Sequence, residues 1–330
     1  MEIREWHEIR ACLPNGRTLF HYERDWYAFM LLRNLLSSGW TAAEIRQSNF
    51  ARLLERPEIR DILAQKGQLN LDEEDLFGFY LKHPVAWRLT IGRWGNTKDF
   101  RWNQTSRKGC NLVLQINFPT QHNGLYKKLV SPAGTDYLNY SGHPVSKHEL
   151  TMSWVRLDID MESDEVLIEE IQSDWIRRAS YFQEYSFDLF RRLRRIGEIS
   201  GDIQYEQFAR QVNAYVKEIM PIYTMNWQEV SMAAALQFIT EELGISNVFI
   251  HDFETGNHLK RLAQDYRKPP RSIYSALPKK FCFQKSETSP DILSSQIKRI
   301  TRNKKPRHRV DKPKFWHLSF EKDAGRVALA

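Results

Sequence analysis

Four residues in the run VLIEEIQSDW (Val166–Trp175) could do chemistry together: Glu169, Glu170, Gln172 and Asp174. The intervening Val166, Leu167, Ile168 and Ile171 are strand formers. On a strand, Glu170 and Gln172 share one face while Glu169 and Ile171 share the other. Asp174 is placed to cap a helix that begins at Trp175. Carboxylates inside an apolar strand are costly to bury unless they are paired, protonated or used. The structural alternative is an edge strand with Glu169 in water and Asp174 as a plain cap. The functional reading is a strand that ends in a cleft and presents Glu170 and Gln172 to a substrate.

Two reactions suit such a strand. In the first, Asp158 or Asp160 on the preceding strand faces Glu170 and Gln172. This is similar to the Asp…Glu-x-Lys arrangement of restriction-type nucleases, with Gln in place of Lys. The carboxylates Asp158, Asp160 and Glu170 would hold Mg²⁺ and activate a water for phosphodiester attack. In the second, the C–N bond between ribose and nicotinamide of NAD⁺ breaks through an oxocarbenium-like state, with no metal. That chemistry needs a carboxylate near the ribose, a cation for the pyrophosphate and an aromatic wall. Glu170 can supply the first, Arg107 or Arg93 the second, Tyr140 or Trp154 the third. Among the histidines, none of which shows metal-ligand spacing, His143 is best positioned, between Gly142 and Pro144; a purely structural bond is its other reading. Phosphate-loop, GxGxxG, HExxH and GxSxG signatures are absent from the sequence.

The run SGHP (141–144), WVRLDI (154–159), VLIEEIQSDW, a helix opening NWQE (226–229) and PPRSIYSALPKKFCF (269–283) resembles a domain found in large phage-encoded polyvalent proteins. The resemblance covers about Leu112 to Phe283, and the EIQSDW strand carries most of it. It implies an ADP-ribosyltransferase-like domain with NAD⁺ as co-substrate, in which the EIQSDW strand follows a strand bearing an Arg, here Arg156. Glu170 and Gln172 become the expected catalytic pair. The expected NAD⁺-binding set is Arg107, Tyr140, Ser141, His143, Trp154 and Arg156. The chain departs from that pattern at Ile176-Arg177, where His-Gln is usual, and at Asn111, where an Arg is usual.

The elements that must position these groups follow from periodicity. Residues 1–85 read as a helical subdomain, with a helix over Asp25–Ser37 closed by Gly39 and a capping box at Thr41–Glu44. From Trp87 the period changes to that of strands: 87–94, 111–118 and 150–159, then VLIEEIQSDW returning as a hairpin. Between the first two lies a polar loop, Asn103 to Arg107, that could contact a ligand. Asn226 to Leu243 reads as a helix with Asn226 and Glu229 as its box, followed by a buried strand at 245–253. The expectation is an α+β fold: a mixed, mainly antiparallel sheet flanked by helices over 86–283, with 284–330 as a basic linker and tail.

Composition sets the class. In 330 residues, 42% are hydrophobic and 12% aromatic, enough for a sizeable core. No apolar run reaches the ~18 residues that span a bilayer. Cys12, Cys110 and Cys282 are isolated, which fits a reducing compartment, so the expected location is the cytoplasm. The net charge is +7, and between Lys298 and Lys314 nine basic residues face one acid, Asp311. Arg299, Arg302, Lys304, Lys305, Arg307 and Arg309 are therefore the candidates for nucleic-acid contact, with a solvated tail as the plainer reading. Three functions remain: an ADP-ribosyltransferase of toxin or defence type that a neutralising protein partner could hold; a Mg²⁺-dependent nuclease; and a non-enzymatic nucleic-acid-binding protein.

Overall fold

The computed structural model describes residues 1–13, 18–65, 71, 75–76, 81–96, 103–130, 138–181, 207, 210–262, 270–303 and 309–322. Eight strands form one open sheet: β1 (Thr18–Tyr22), β2 (Val85–Trp94), β3 (Asn111–Asn117), β4 (Thr151–Asp160), β5 (Glu165–Gln172), β6 (Asn247–His251), β7 (Gln284–Ser286) and β8 (Phe315–Ser319). Their order is β1-β2-β3-β4-β5-β6-β8-β7. Only β5 and β6 run parallel. A parallel neighbour cannot be reached by a tight turn, so the chain crosses over through helices between them. The fold is α+β, as the periodicity implies.

The register separates two faces. On one lie Leu112 and Leu114, Val155 and Leu157, Val166 and Ile168, Val248 and Ile250, all buried in the main core. Each such side chain contributes about 1.5–3 kcal/mol on burial. The helix Trp227–Gln237 covers this face. Ala233, Ala234 and Ala235 are wholly buried, which lets its backbone approach the strands, and Ser231 meets Ser153 of β4 at 2.7 Å. The opposite face carries a smaller cluster, Leu167, Phe249, Leu259, Leu293, Ile300 and Phe315. The rest of that face carries Arg156, Glu170, Gln172 and Asn111 beside the rings of Trp94 and Trp154.

The sheet crosses both expected boundaries. β1 comes from the first 85 residues and pairs with β2; β7 and β8 come from beyond residue 284, and β8 pairs with β6. The apolar alternation of Phe315, Trp316, Leu318 and Phe320 is long enough to complete a sheet edge, and all four are buried. β7 and β8 are thus part of the sheet rather than of a tail.

The expected box at Asn226 is not formed. Asn226 makes no side-chain cap. Glu229 is buried and accepts from the Tyr22 hydroxyl (2.7 Å) and the Asp25 amide (2.6 Å), and it pairs with Lys280. Three donors from distant segments outcompete one local amide. At Thr41–Glu44 the box forms: Glu44 Oε2 accepts from the Thr41 amide at 2.9 Å while its other oxygen pairs with Lys322.

His122, on the helix Thr120–Leu129, shows how deep this core is. It stacks on Phe118 with ring centroids 3.6 Å apart and meets the Tyr215 hydroxyl at 2.7 Å. Burial pushes its pKa down to about 4. The unfolded chain takes up that proton near pH 6.5, so between about 6.5 and 4 the unfolded state binds more protons and stability falls as pH falls. The loss expected from this residue is about 1.4 kcal/mol for each pH unit across that window. Urea titrations of His122→Phe should show a correspondingly flatter pH dependence; equal slopes in both proteins would refute the assignment.

Candidate active site

The polar part of the second face is organised by an irregularity in β5. Arg156 pairs with Glu170, but Leu157 pairs with Ile168, so Glu169 is an extra residue in its strand. Such a bulge re-aims side chains. Ile168 and Ile171, three apart, both face the main core, and the strict alternation expected from sequence is broken. Glu169 turns away from that core and is fully buried. Its carboxylate accepts from the Ser106 amide and hydroxyl (2.8 and 2.9 Å), and the Lys260 ammonium lies 3.7 Å away. Lys260 Nζ also donates to the Glu169 carbonyl at 2.6 Å, and His251 Nε2 lies 3.1 Å from the same oxygen. Gly256 makes room for this packing, since a Cβ there would stand 2.2 Å from the His251 ring.

Glu170 faces a cleft of about 950 Å³, within the range of small-molecule sites. Its carboxylate pairs with Arg156 at 2.5 Å. Arg156 is itself buried and is fixed by the carbonyls of Asn103 (2.9 Å) and Gln104 (3.0 Å), with Asn111 Oδ1 at 3.5 Å. Burial alone would raise the carboxyl pKa of Glu170. Arg156 and then Lys260 outweigh it and hold the group below its ordinary value, hence ionised.

At the other end of the cleft stands a histidine–aspartate pair. His143 Nδ1 contacts both Asp174 oxygens (2.9 and 2.8 Å). Asp174 also accepts from Trp154 Nε1 (3.0 Å), Gln172 Nε2 (2.7 Å) and Arg177 (2.5 Å). Burial pushes the Asp174 pKa up, but the hydrogen bonds from His143 and Trp154 bring it below the usual range. The expected cap is displaced by one residue: Ser173 Oγ accepts from the Ile176 amide (3.2 Å), so the helix over 174–181 is capped without Asp174. That frees the carboxylate for His143. With Nδ1 given to Asp174, the neutral imidazole leaves Nε2 as a proton acceptor. The rings of Trp94, Tyr140 and Trp154 surround His143 edge-on at 4.8–6.4 Å.

Of the expected site residues, Glu170, Gln172, Tyr140, His143, Trp154 and Arg156 all line this cleft. Arg107 does not. Its Nε donates to Asp158 at 2.8 Å and its Nη2 to the Ile159 carbonyl at 3.0 Å, which ties the 103–110 loop to β4. Ser141 is solvent-facing and outside the lining. Arg93 lies over the Trp6 ring. Asp158, opposite Leu167 rather than Glu170, is consumed by Arg107 and by the Met1 amino group at 2.5 Å. Asp160 accepts from the amides of Glu162 and Ser163 in the hairpin turn. Among the described residues no group of three or more His, Cys, Asp or Glu could hold a metal. The carboxylates expected to bind Mg²⁺ are thus drawn apart by the register and by local donors.

The chain matches no family model, no curated protein and no solved structure.

The basic candidates are dispersed. Arg299 donates to the Leu259 carbonyl at 3.0 Å, Arg309 pairs with Asp311 at 2.5 Å, and Arg302 is exposed. Lys304, Lys305 and Arg307 lie outside the described residues. No helix among the described residues is long and apolar enough to cross a membrane.

Sequence reasoning missed Asp174 as an orienting residue, and missed Asn257, Lys260 and Tyr274, which reach the cleft from segments distant in sequence. Lys260 follows the helix Phe253–Leu259, and nothing local marks it as buried.

Proposed function

We propose that this protein transfers ADP-ribose from NAD⁺ to a macromolecular acceptor. What carries the reading is Glu170, an ionised carboxylate at the floor of a large cleft that also holds aromatic rings and an oriented histidine. In that reaction the bond from ribose C1′ to the nicotinamide nitrogen breaks, and its electron pair leaves with nicotinamide. Glu170 stabilises the positive charge left on the ribosyl group. The acceptor's nucleophilic atom forms the new bond to C1′, and its proton passes to His143 Nε2. Asp174 holds that ring, and Gln172 and Trp154 hold Asp174.

RNA, DNA or protein side chains are the acceptors we favour, with Arg302 and the neighbouring basic residues as a contact for nucleic acid. The three cysteines are free, and we place the protein in the cytoplasm, where a neutralising partner protein could restrain it. The nuclease reading has no observation in its favour, because Asp158 and Asp160 are engaged elsewhere.

Incubation with NAD⁺ labelled on the adenine side should release nicotinamide and leave the label on RNA or protein, with EDTA without effect. Absence of both nicotinamide release and labelling, with RNA and with lysate protein, would refute the proposal. Asp174→Asn should lower kcat about 10²-fold with little change in KM for NAD⁺, because it disturbs the proton acceptor and not the binding surface. A change confined to KM would remove the histidine–aspartate pair from the proton transfer.

A further inference from the structure

Among the described residues, six buried side-chain nitrogen or oxygen atoms have no hydrogen-bond partner, and three of the six belong to residues that line the cleft: Arg156 Nε, Asn257 Nδ2 and Tyr274 Oη. All three are donors. Arg156, Asn257 and Tyr274 are 1%, 8% and 4% exposed. Lys260, 6% exposed and three residues after Asn257, also lines the cleft, and its charge acts on Glu170 and Arg156. The Tyr274 ring stacks on His251 at 5.3 Å. Burial and Glu170 raise the phenol pKa, so its O–H stays a donor.

Buried donors without acceptors are rare in folded proteins, and one that recurs beside others in a cleft calls for a ligand. The ligand must bring several acceptors and no competing hydrogens. A sugar hydroxyl brings its own hydrogen, and an aromatic ring brings too few lone pairs. A phosphoryl oxyanion meets the requirement, and Arg156 and Lys260 supply cationic donors of the kind that bind it most strongly. The carboxylate nearest Lys260, that of Glu169 at 3.7 Å, also accepts two hydrogen bonds from Ser106.

We propose that Arg156, Asn257, Lys260 and Tyr274 form an oxyanion subsite that takes the pyrophosphate of a dinucleotide. The assignment stands on the donors themselves and holds whether or not the cleft cleaves NAD⁺.

The test is binding without turnover. Isothermal titration of the full chain should show ADP-ribose and inorganic pyrophosphate binding at one shared site, with adenosine much weaker. Tyr274→Phe and Asn257→Leu should each weaken ADP-ribose about tenfold and leave adenosine unchanged. Tyr274→Phe carries a second signature. It removes a hydroxyl that has no partner in the protein, so its thermal midpoint should match or exceed that of the parent while affinity falls. A purely structural hydroxyl would lower the midpoint and spare the affinity, and that pattern overturns the subsite. So does equal ADP-ribose affinity in both variants and the parent. Binding of a short RNA oligonucleotide that competes with pyrophosphate, with no ADP-ribose binding, would assign the phosphate to nucleic acid and overturn the dinucleotide. ADP-ribose binding that follows these predictions, in a protein that releases no nicotinamide, would keep the subsite and refute the transferase.

Discussion

Glu170→Gln is expected to lower nicotinamide release from NAD⁺ about 10³-fold, with KM little changed. The substitution keeps the size and the acceptor oxygen that Arg156 uses, and removes only the negative charge. If that charge faces a developing ribosyl cation, its loss raises the barrier by about 4 kcal/mol, as removal of one well-aimed electrostatic group does in other active sites. The charge is present throughout the usual assay range. Arg156 and Lys260 hold the carboxyl pKa below its ordinary value, so activity should not fall through protonation of Glu170 until pH drops below the usual carboxylate range. The same variant leaves the buried Arg156 with a weaker partner, so some stability is lost as well. A Glu170→Gln/Arg156→Gln protein should recover part of that stability and none of the activity. Full activity in Glu170→Gln, or restored activity in the double variant, would exclude Glu170 from the reaction.

The sequence already held much of this site, for a physical reason. β4 and β5 are long, apolar and joined by a short polar turn, so their pairing is specified by local pattern alone, and that register with the bulge at Glu169 sets Arg156 opposite Glu170. Trp154 lies on β4 itself, and Tyr140 and His143 come close to it through a turn that Gly142 and Pro144 make readable. What the sequence could not give is competition between partners. Asp174 and Ser173 both suit a helix cap, and only the arrival of His143, Trp154 and Arg177 decides that Ser173 caps and Asp174 orients. Arg107 is equally suited to a phosphate or to a carboxylate, and Asp158 wins because β4 buries it beside the loop. The bulge was hidden too. VLIEEIQ reads as a plain alternating strand, and placing Glu169 on the outer face required an extra residue that only its partners Ser106 and Lys260 justify.

Those partners make Glu169 the residue whose loss should damage the fold most. Glu169→Leu strands the Lys260 ammonium, 6% exposed, without its carboxylate, and deprives the Ser106 amide and hydroxyl of their acceptor. Removing one member of a buried ion pair costs about 3–5 kcal/mol, much of it the desolvation of the group left behind. Urea unfolding should report a loss of that size. The decisive comparison is Glu169→Leu/Lys260→Met. With both charges gone the site becomes apolar, and the double variant should be more stable than Glu169→Leu alone, a coupling that additive effects could not produce. If the two losses simply add, Lys260 is not sustained by Glu169, and its buried ammonium depends on Glu170 instead. The bulge gives the first outcome its meaning: one inserted residue places two carboxylates on a single face, one to hold the lysine and the other to meet the ligand.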